Sequence, residues 1–232
     1  MKQNSPSAGA ASVPAQIIKG AGFGLDAECA AIFAQFNPPI NPGTYDSVSK
    51  QRRQAVSEDP DCDLANTQGE HQIVNSNFQT VRGDNGTNIP GCGGYSEGGA
   101  PAYNVYDNQS VGTEHKLLTD AARDLAQSQN PPSTLGEWLD GMEKKTSEML
   151  DSDDLQRQKG GGRRSRIKDA EKKTPAERKA LADKAAKCLK EHAERVYKGM
   201  GIERDQKLRN GFVDGKPKPK LPKKAPMTGG AI

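Results

Sequence analysis

The chain has 232 residues, a length that fits one domain of ordinary size with tails, so we do not expect a large multidomain enzyme. Only 33% of the residues are hydrophobic, and the 25 Gly and 15 Pro exceed the usual share, which predicts much loop. No stretch approaches the roughly 18 to 20 consecutive apolar residues of a membrane span, and the segment after Lys2 lacks the apolar region of a secretory signal. We therefore expect neither a membrane protein nor a Sec substrate.

The two parts of the chain carry opposite charge. Residues 1–155 hold 10 Lys or Arg and 21 Asp or Glu, whereas residues 156–232 hold 23 and 9. An acidic body with a basic C-terminal third is typical of a protein that meets a polyanion through one end, and nucleic acid is the first candidate partner. The alternative is that these Lys and Arg residues only solvate a helix and a tail.

The N-terminal part of the chain predicts a linker and then a helical region. Residues 1–20 are small and polar and look like a linker from an upstream module. In the region 21–66, apolar residues at helical intervals predict a helix over Leu25–Phe36, which the prolines after Asn37 end. A helical turn is expected around Ser49–Ser57.

Residues 67–128 predict a β-β-α unit. His71–Val74 is a short β-capable segment, a long loop rich in Asn, Gly and Pro follows, and Ala102–Tyr106 alternates as a second strand. Thr113 then caps a helix whose apolar face includes Leu118 and Leu125.

The region 129–212 predicts two more helices that flank a basic hinge. Ser133 or Thr134 caps the first, which reaches Leu150. The tract Gln158–Arg166 combines three glycines with three arginines and predicts a flexible basic hinge. Thr174-Pro-Ala-Glu is a strong helix start, and that helix should end near Lys198. Residues 213–232 alternate Lys with Pro and predict a disordered basic tail, so the fold class is α+β.

Four cysteines leave the redox chemistry open. Cys29, Cys62, Cys92 and Cys188 are widely spaced and form no CxxC pair, so zinc or a redox dithiol is not indicated. One or two disulfides and simple buried thiols both remain compatible with the spacing.

The chain has only three histidines, and two of them follow an acid. His192 lies on the apolar face of the last helix and is expected to be packed. Glu70-His71 and Glu114-His115 lie at opposite ends of the β-β-α unit. Neighbouring side chains of a strand point to opposite faces, so Glu70 and His71 share one site only if the strand bends there. With that bend, Glu70, His71 and His115 are expected to converge on one divalent ion.

The same stretch resembles a known family. The residues that carry the resemblance are Gly69-Glu70-His71-Gln72-Ile73-Val74, Asn77-Phe78, Gly94-Tyr95, Ala100-Pro101 and Glu114-His115. They resemble the GHH branch of the HNH/endonuclease VII-type (His-Me finger) nuclease toxin domains, found at the tips of bacterial polymorphic toxins that include type VI secretion effectors. The resemblance covers about a quarter of the chain, and it departs from the family where Gly-Glu-His replaces Gly-His-His.

The resemblance implies a small ββα-metal core surrounded by helices and a metal-dependent endonuclease toxin that cleaves DNA with little sequence specificity. His71 would be the general base, and Glu70 and His115 would hold one divalent ion, with Asn108 as an alternative ligand to His115. Mg²⁺, Mn²⁺, Zn²⁺ and Ni²⁺ all remain open. The resemblance further implies a cognate immunity protein, an upstream secretion-system module, contact-dependent (type VI) secretion and action in the cytoplasm of the target cell.

Contacts to DNA phosphates are expected from the basic hinge, through Arg163, Arg164 and Arg166.

Two other functions remain open. Cys92 lies among glycines and, with His71 or His115 as its base, would give a peptidase or amidase, although no helix start follows it to lower its pKa. A non-catalytic nucleic-acid-binding module would use the basic third alone.

Overall fold

The computed structural model of the protein describes residues 26–80, 87–106, 112–156 and 163–212. The predicted linker over 1–20, the predicted disordered tail over 213–232, the centre of the predicted hinge and Asn108 lie outside these ranges. Within them, no helix combines the length and the apolar character that a membrane crossing requires.

The described residues form an α+β fold of five α-helices and a three-stranded antiparallel sheet, with a two-residue strand pair beside it. In chain order the elements are α1 Ala27–Phe33, β1 Pro42–Thr44, α2 Tyr45–Glu58, β2 Thr67–His71, β3 Pro101–Tyr106, α3 Glu114–Ala126, α4 Leu135–Leu150, β4 Leu155–Gln156, β5 Arg163–Arg164 and α5 Pro175–Gly199.

The sheet has the order β1-β3-β2, so β3 is central and β2 is an edge strand of the described sheet. β2 and β3 pair antiparallel, with Glu70 opposite Tyr103 and His71 opposite Ala102. α3 follows β3, so the predicted β-β-α order is present. The predicted strand His71–Val74 is wrong in its bounds, because β2 ends at His71 and the chain turns into a 3₁₀ segment at Asn75–Asn77.

The starts of α3, α4 and α5 agree with the sequence prediction because each has a side-chain cap. Thr113 caps α3, and Thr134 and Thr174 form capping boxes with Glu137 and Glu177. The predicted end of α5 near Lys198 is also confirmed, since the helix ends at Gly199.

One hydrophobic cluster joins the β-β-α unit to helices from both ends of the chain. It contains Phe33 of α1, Tyr103 of β3, Leu118 of α3, Leu150 of α4 and Leu189 of α5. The predicted unit over 67–128 therefore shares its core with its surroundings.

A disulfide strengthens the connection between the two ends. Cys29 of α1 and Cys188 of α5 are bonded across 159 positions of sequence. Cys62 and Cys92 are free thiols, and Cys92 is buried. The protein thus contains both a disulfide and a buried thiol, the two alternatives that the sequence left open.

Candidate active site

Glu70 and His115 come into direct contact although 45 positions separate them in sequence. Glu70 is the penultimate residue of β2, and His115 is the second residue of α3. The His115 Nδ1 atom lies 2.5 Å from Glu70 Oε2, with 30% of the His115 side chain and 13% of the Glu70 side chain exposed. The structure therefore places a carboxylate and an imidazole together at the surface.

The sheet register explains why these two residues meet. Glu70 lies opposite Tyr103, and residues directly opposite in an antiparallel pair share one face of the sheet. Tyr103 belongs to the same hydrophobic cluster as Leu118, so this face is the one that α3 covers. The Thr113 cap starts α3 immediately before His115 and holds its first turn beside the end of β2.

A buried ion pair holds the first turn of α3 in place. Glu114 and Arg166 are both fully buried, and Arg166 Nη1 donates to Glu114 Oε2 at 2.5 Å. The same carboxylate oxygen accepts the N–H of Tyr106 at 2.9 Å. Arg166 also donates to the carbonyl oxygen of Pro38, at 3.4 Å from Nε and 3.3 Å from Nη2. Its guanidinium thus links β3, α3 and the segment after α1.

The placement of Arg166 overturns its predicted role. A guanidinium with 0% exposure does not reach a DNA phosphate, so the prediction that Arg166 contacts nucleic acid is wrong. Arg163 and Arg164 were predicted to lie in a flexible hinge. They instead form β5, which pairs with β4. Arg164 is exposed, and the side chain of Arg163 lies outside the described part of the structure.

His71 lies on the opposite face of the sheet from Glu70. Its ring stacks on Tyr45 of α2, with ring centroids 4.3 Å apart and planes inclined by 14°. Its Nε2 is 3.2 Å from the carbonyl oxygen of Glu97. Gly69 lies on this face too, and the Tyr45 ring comes within 3.2 Å of the position that a Cβ there would take.

The predicted convergence of three side chains is therefore only partly present. The β2–β3 ladder runs regularly to the His71–Ala102 pair, so the bend that would turn His71 toward Glu70 does not form. Sequence reasoning gave no sign of Tyr45 or Glu97 as partners of His71, because both contacts depend on the tertiary packing of α2 and of the loop before β3.

The chemistry of Glu70 and His115 suits a divalent cation. Carboxylate oxygen and imidazole nitrogen are common ligands of Zn²⁺, Mn²⁺ and Ni²⁺. Two ligand atoms at about 2.1 Å from one ion lie about 3.0 Å apart in octahedral and about 3.4 Å apart in tetrahedral geometry, so this pair would have to open by about 0.5 to 0.9 Å. Among the residues that the structure describes, no group of three or more His, Cys, Asp or Glu side chains is placed to hold a metal ion. Water or substrate oxygens would supply the other ligands.

Cys92 is not placed as a nucleophile. It is fully buried in a second hydrophobic cluster with Tyr95 and Tyr197, and burial raises the pKa of its thiol to about 11. A thiol with that pKa is protonated at neutral pH. The alternative of a Cys92 peptidase or amidase conflicts with this environment.

His192 is packed, as predicted. It is 4% exposed, its Nε2 lies 3.4 Å from the carbonyl oxygen of Gly43, and burial lowers the pKa of its imidazole.

Part of the positive charge of the C-terminal third is paired with acidic side chains of the protein. Lys190 pairs with Asp140 and Glu143 of α4, and Arg204 pairs with Asp140 and Glu194. These two basic residues therefore face acids of the protein itself.

Comparisons of the chain with protein-family models, with curated proteins and with solved structures found no match. The resemblance to the GHH nucleases accordingly depends on the quoted motifs alone.

Proposed function

We propose that the protein is a metal-dependent endonuclease that hydrolyses DNA with little sequence specificity, and that the β-β-α unit is a ββα-metal core. The contact between Glu70 and His115 is the observation that carries this proposal, because it brings two metal-ligand side chains from distant parts of the chain to one accessible point. Action as a secreted antibacterial toxin with an immunity protein belongs to the same proposal and is supported by the motifs alone.

Hydrolysis of a phosphodiester needs charge neutralisation and proton removal. A bound divalent ion would neutralise the negative charge that develops on the phosphate and on the leaving oxygen. Glu70 and His115 are the residues that would hold it. Their contact gives a cation one oxygen and one nitrogen donor atom at the same partly exposed point.

His71 is proposed as the base. A carbonyl oxygen only accepts hydrogen bonds, so the contact with Glu97 fixes the proton of a neutral His71 ring on Nε2 and leaves Nδ1 as the proton acceptor. The stack on Tyr45 holds the ring in place. His71 lies on the opposite face from Glu70, so the base role requires DNA that lies across the end of β2, an edge strand of the described sheet, and borders both faces there.

A plasmid-nicking assay tests the proposal. Glu70→Gln, His115→Ala and chelation of divalent ions should each abolish nicking, and His71→Ala should slow it by about 10²- to 10⁴-fold, the usual contribution of a general base. Glu148→Gln, an exposed acid on α4 that pairs with Lys145, is the matched control and should nick normally. Intact plasmid with wild-type protein under every divalent salt would refute the proposal. Plasmid that is shifted in a gel but not cut would favour the non-catalytic binding module.

A further inference from the structure

The helix beside the candidate site carries exposed cations that the proposed reaction does not use. We propose that α2 binds the phosphate backbone of duplex DNA through Lys50 and Arg53, and that it guides the DNA across the end of β2. This inference deepens the proposed nuclease function and depends on it for the identity of the substrate.

The direction of α2 ties it to the site. Tyr45, the first residue of α2, stacks on His71 at the end of β2, whereas Arg52 donates to the carbonyl oxygen of Ala65, just before β2 begins. The helix therefore runs antiparallel to β2 and leads away from His71. Lys50 and Arg53 follow Tyr45 by five and eight residues, which places them about 7.5 and 12 Å along the helix axis.

Lys50 and Arg53 are available for a ligand. Both residues are exposed, and no hydrogen bond or ion pair among the described residues engages either side chain. Lys190 of α5 and Arg204 after it differ in this respect, since each is paired with two carboxylates. A cation without a protein partner loses no ion pair when it binds a phosphate.

The spacing of the two cations also fits a duplex. Successive phosphates of one DNA strand rise about 3.4 Å along the duplex axis, so about 7.5 and 12 Å correspond to roughly two to four nucleotides from the point where the strand crosses the end of β2. Lys50-Gln-Arg-Arg53 is moreover a basic run within the acidic part of the chain. A local basic segment beside the site attracts DNA where the rest of that region repels it.

Equilibrium binding to a labelled DNA duplex, measured in EDTA so that metal-dependent cleavage does not occur, tests the inference. Affinity should be determined between about 50 and 200 mM salt, because each neutralised phosphate contributes about 0.9 to the slope of log K against log salt. Lys50→Gln with Arg53→Gln should reduce that slope by about 2 and weaken binding at low salt by at least about tenfold.

Two further double variants make the result specific. Lys184→Gln with Lys198→Gln removes the same charge from two exposed residues of α5 that also make no ion pair among the described residues, and it should leave the slope unchanged. Lys50→Arg with Arg53→Lys keeps both charges and should bind like the wild type. An unchanged slope for the α2 neutralisation, an equal loss for the α5 control, or tighter binding to an RNA duplex than to DNA would overturn the inference.

The binding result and the nicking result separate the two proposals. If binding depends on α2 but the protein never nicks DNA, the nuclease proposal is refuted and the proposal that α2 binds DNA is supported. If the protein nicks DNA normally but the α2 variant binds DNA like the wild type, the proposal that α2 binds DNA is refuted and the nuclease proposal is supported.

Discussion

Arg166 forms an ion pair, wholly shielded from solvent, with Glu114, the residue directly before His115. Burying two charges is costly, and their attraction offsets that cost only while both partners and their hydrogen bonds are present. The Tyr106 N–H and the Pro38 carbonyl oxygen provide those additional bonds. The pair therefore makes the position of the first turn of α3 depend on a residue 52 positions later in the chain.

Removal of this guanidinium should be strongly destabilising. Arg166→Met leaves the Glu114 carboxylate buried and unpaired, for which we expect a loss of about 3 to 5 kcal/mol in the free energy of unfolding. Arg204→Met removes an exposed arginine that has two acidic partners and should cost no more than about 1 kcal/mol. Urea unfolding of both variants measures the difference, and similar losses would contradict a structural role for the buried pair.

His192 should make stability depend on pH. Burial lowers the pKa of its imidazole in the folded state below the ordinary 6.5, so the unfolded chain binds a proton more readily. The resulting stability is fully present above pH 6.5 and decreases as the pH falls below it toward the folded-state pKa. His192→Gln should lose less stability than the wild type between about pH 7.5 and pH 5 in denaturant unfolding. An identical pH dependence of both proteins would contradict this assignment.

At the scale of elements, the disulfide is what holds the short helix α1 covalently to α5. A cross-link that closes a loop of 159 positions restricts the unfolded chain, and we expect Cys29→Ser with Cys188→Ser to lower the free energy of unfolding by about 2 to 5 kcal/mol. A reducing agent should shift the wild type by the same amount and the variant not at all. Cys62→Ser removes a free thiol and serves as the control.

The starts of α3, α4 and α5 were predictable because their signals are local, whereas only a helical turn around Ser49–Ser57 was expected where α2 spans Tyr45–Glu58. A capping threonine and the apolar residues that follow it lie within a few positions of each other, so Thr113, Thr134 and Thr174 indicate where α3, α4 and α5 begin. The strands were less predictable. β2 has the sequence Thr-Gln-Gly-Glu-His, which has no apolar alternation, and its extended form depends on pairing with β3. β1 has three residues, including Pro42 and Gly43, and gives no strand signal at all.

At the scale of the whole molecule, the pairing of Glu70 with His115 could be predicted and the placement of His71 could not. The acid–histidine pairs and the β-β-α order point to a common position for Glu70 and His115. The orientation of His71 depends instead on which face α2 covers, and the burial of Arg166 depends on the path of the chain after β5. Both are tertiary relationships that spacing along the sequence does not encode.

For the same reason, the total charge of the two parts of the chain did not predict which cations are available to a ligand on the folded protein. Lys190 of α5 and Arg204 after it both pair with Asp140 of α4, so part of the basic charge is balanced where these regions meet. A stretch of three cations in α2 was obscured by the acids around it in sequence, although Lys50 and Arg53 remain exposed on the folded protein.

The ion pair between Glu114 and Arg166 also has a consequence for co-translational folding. When the end of β3 and the start of α3 leave the exit tunnel, the arginine that completes their interior has not yet been translated. Until then the Glu114 carboxylate has no cationic partner, so we expect a fragment that contains only the sheet and α3 not to fold stably.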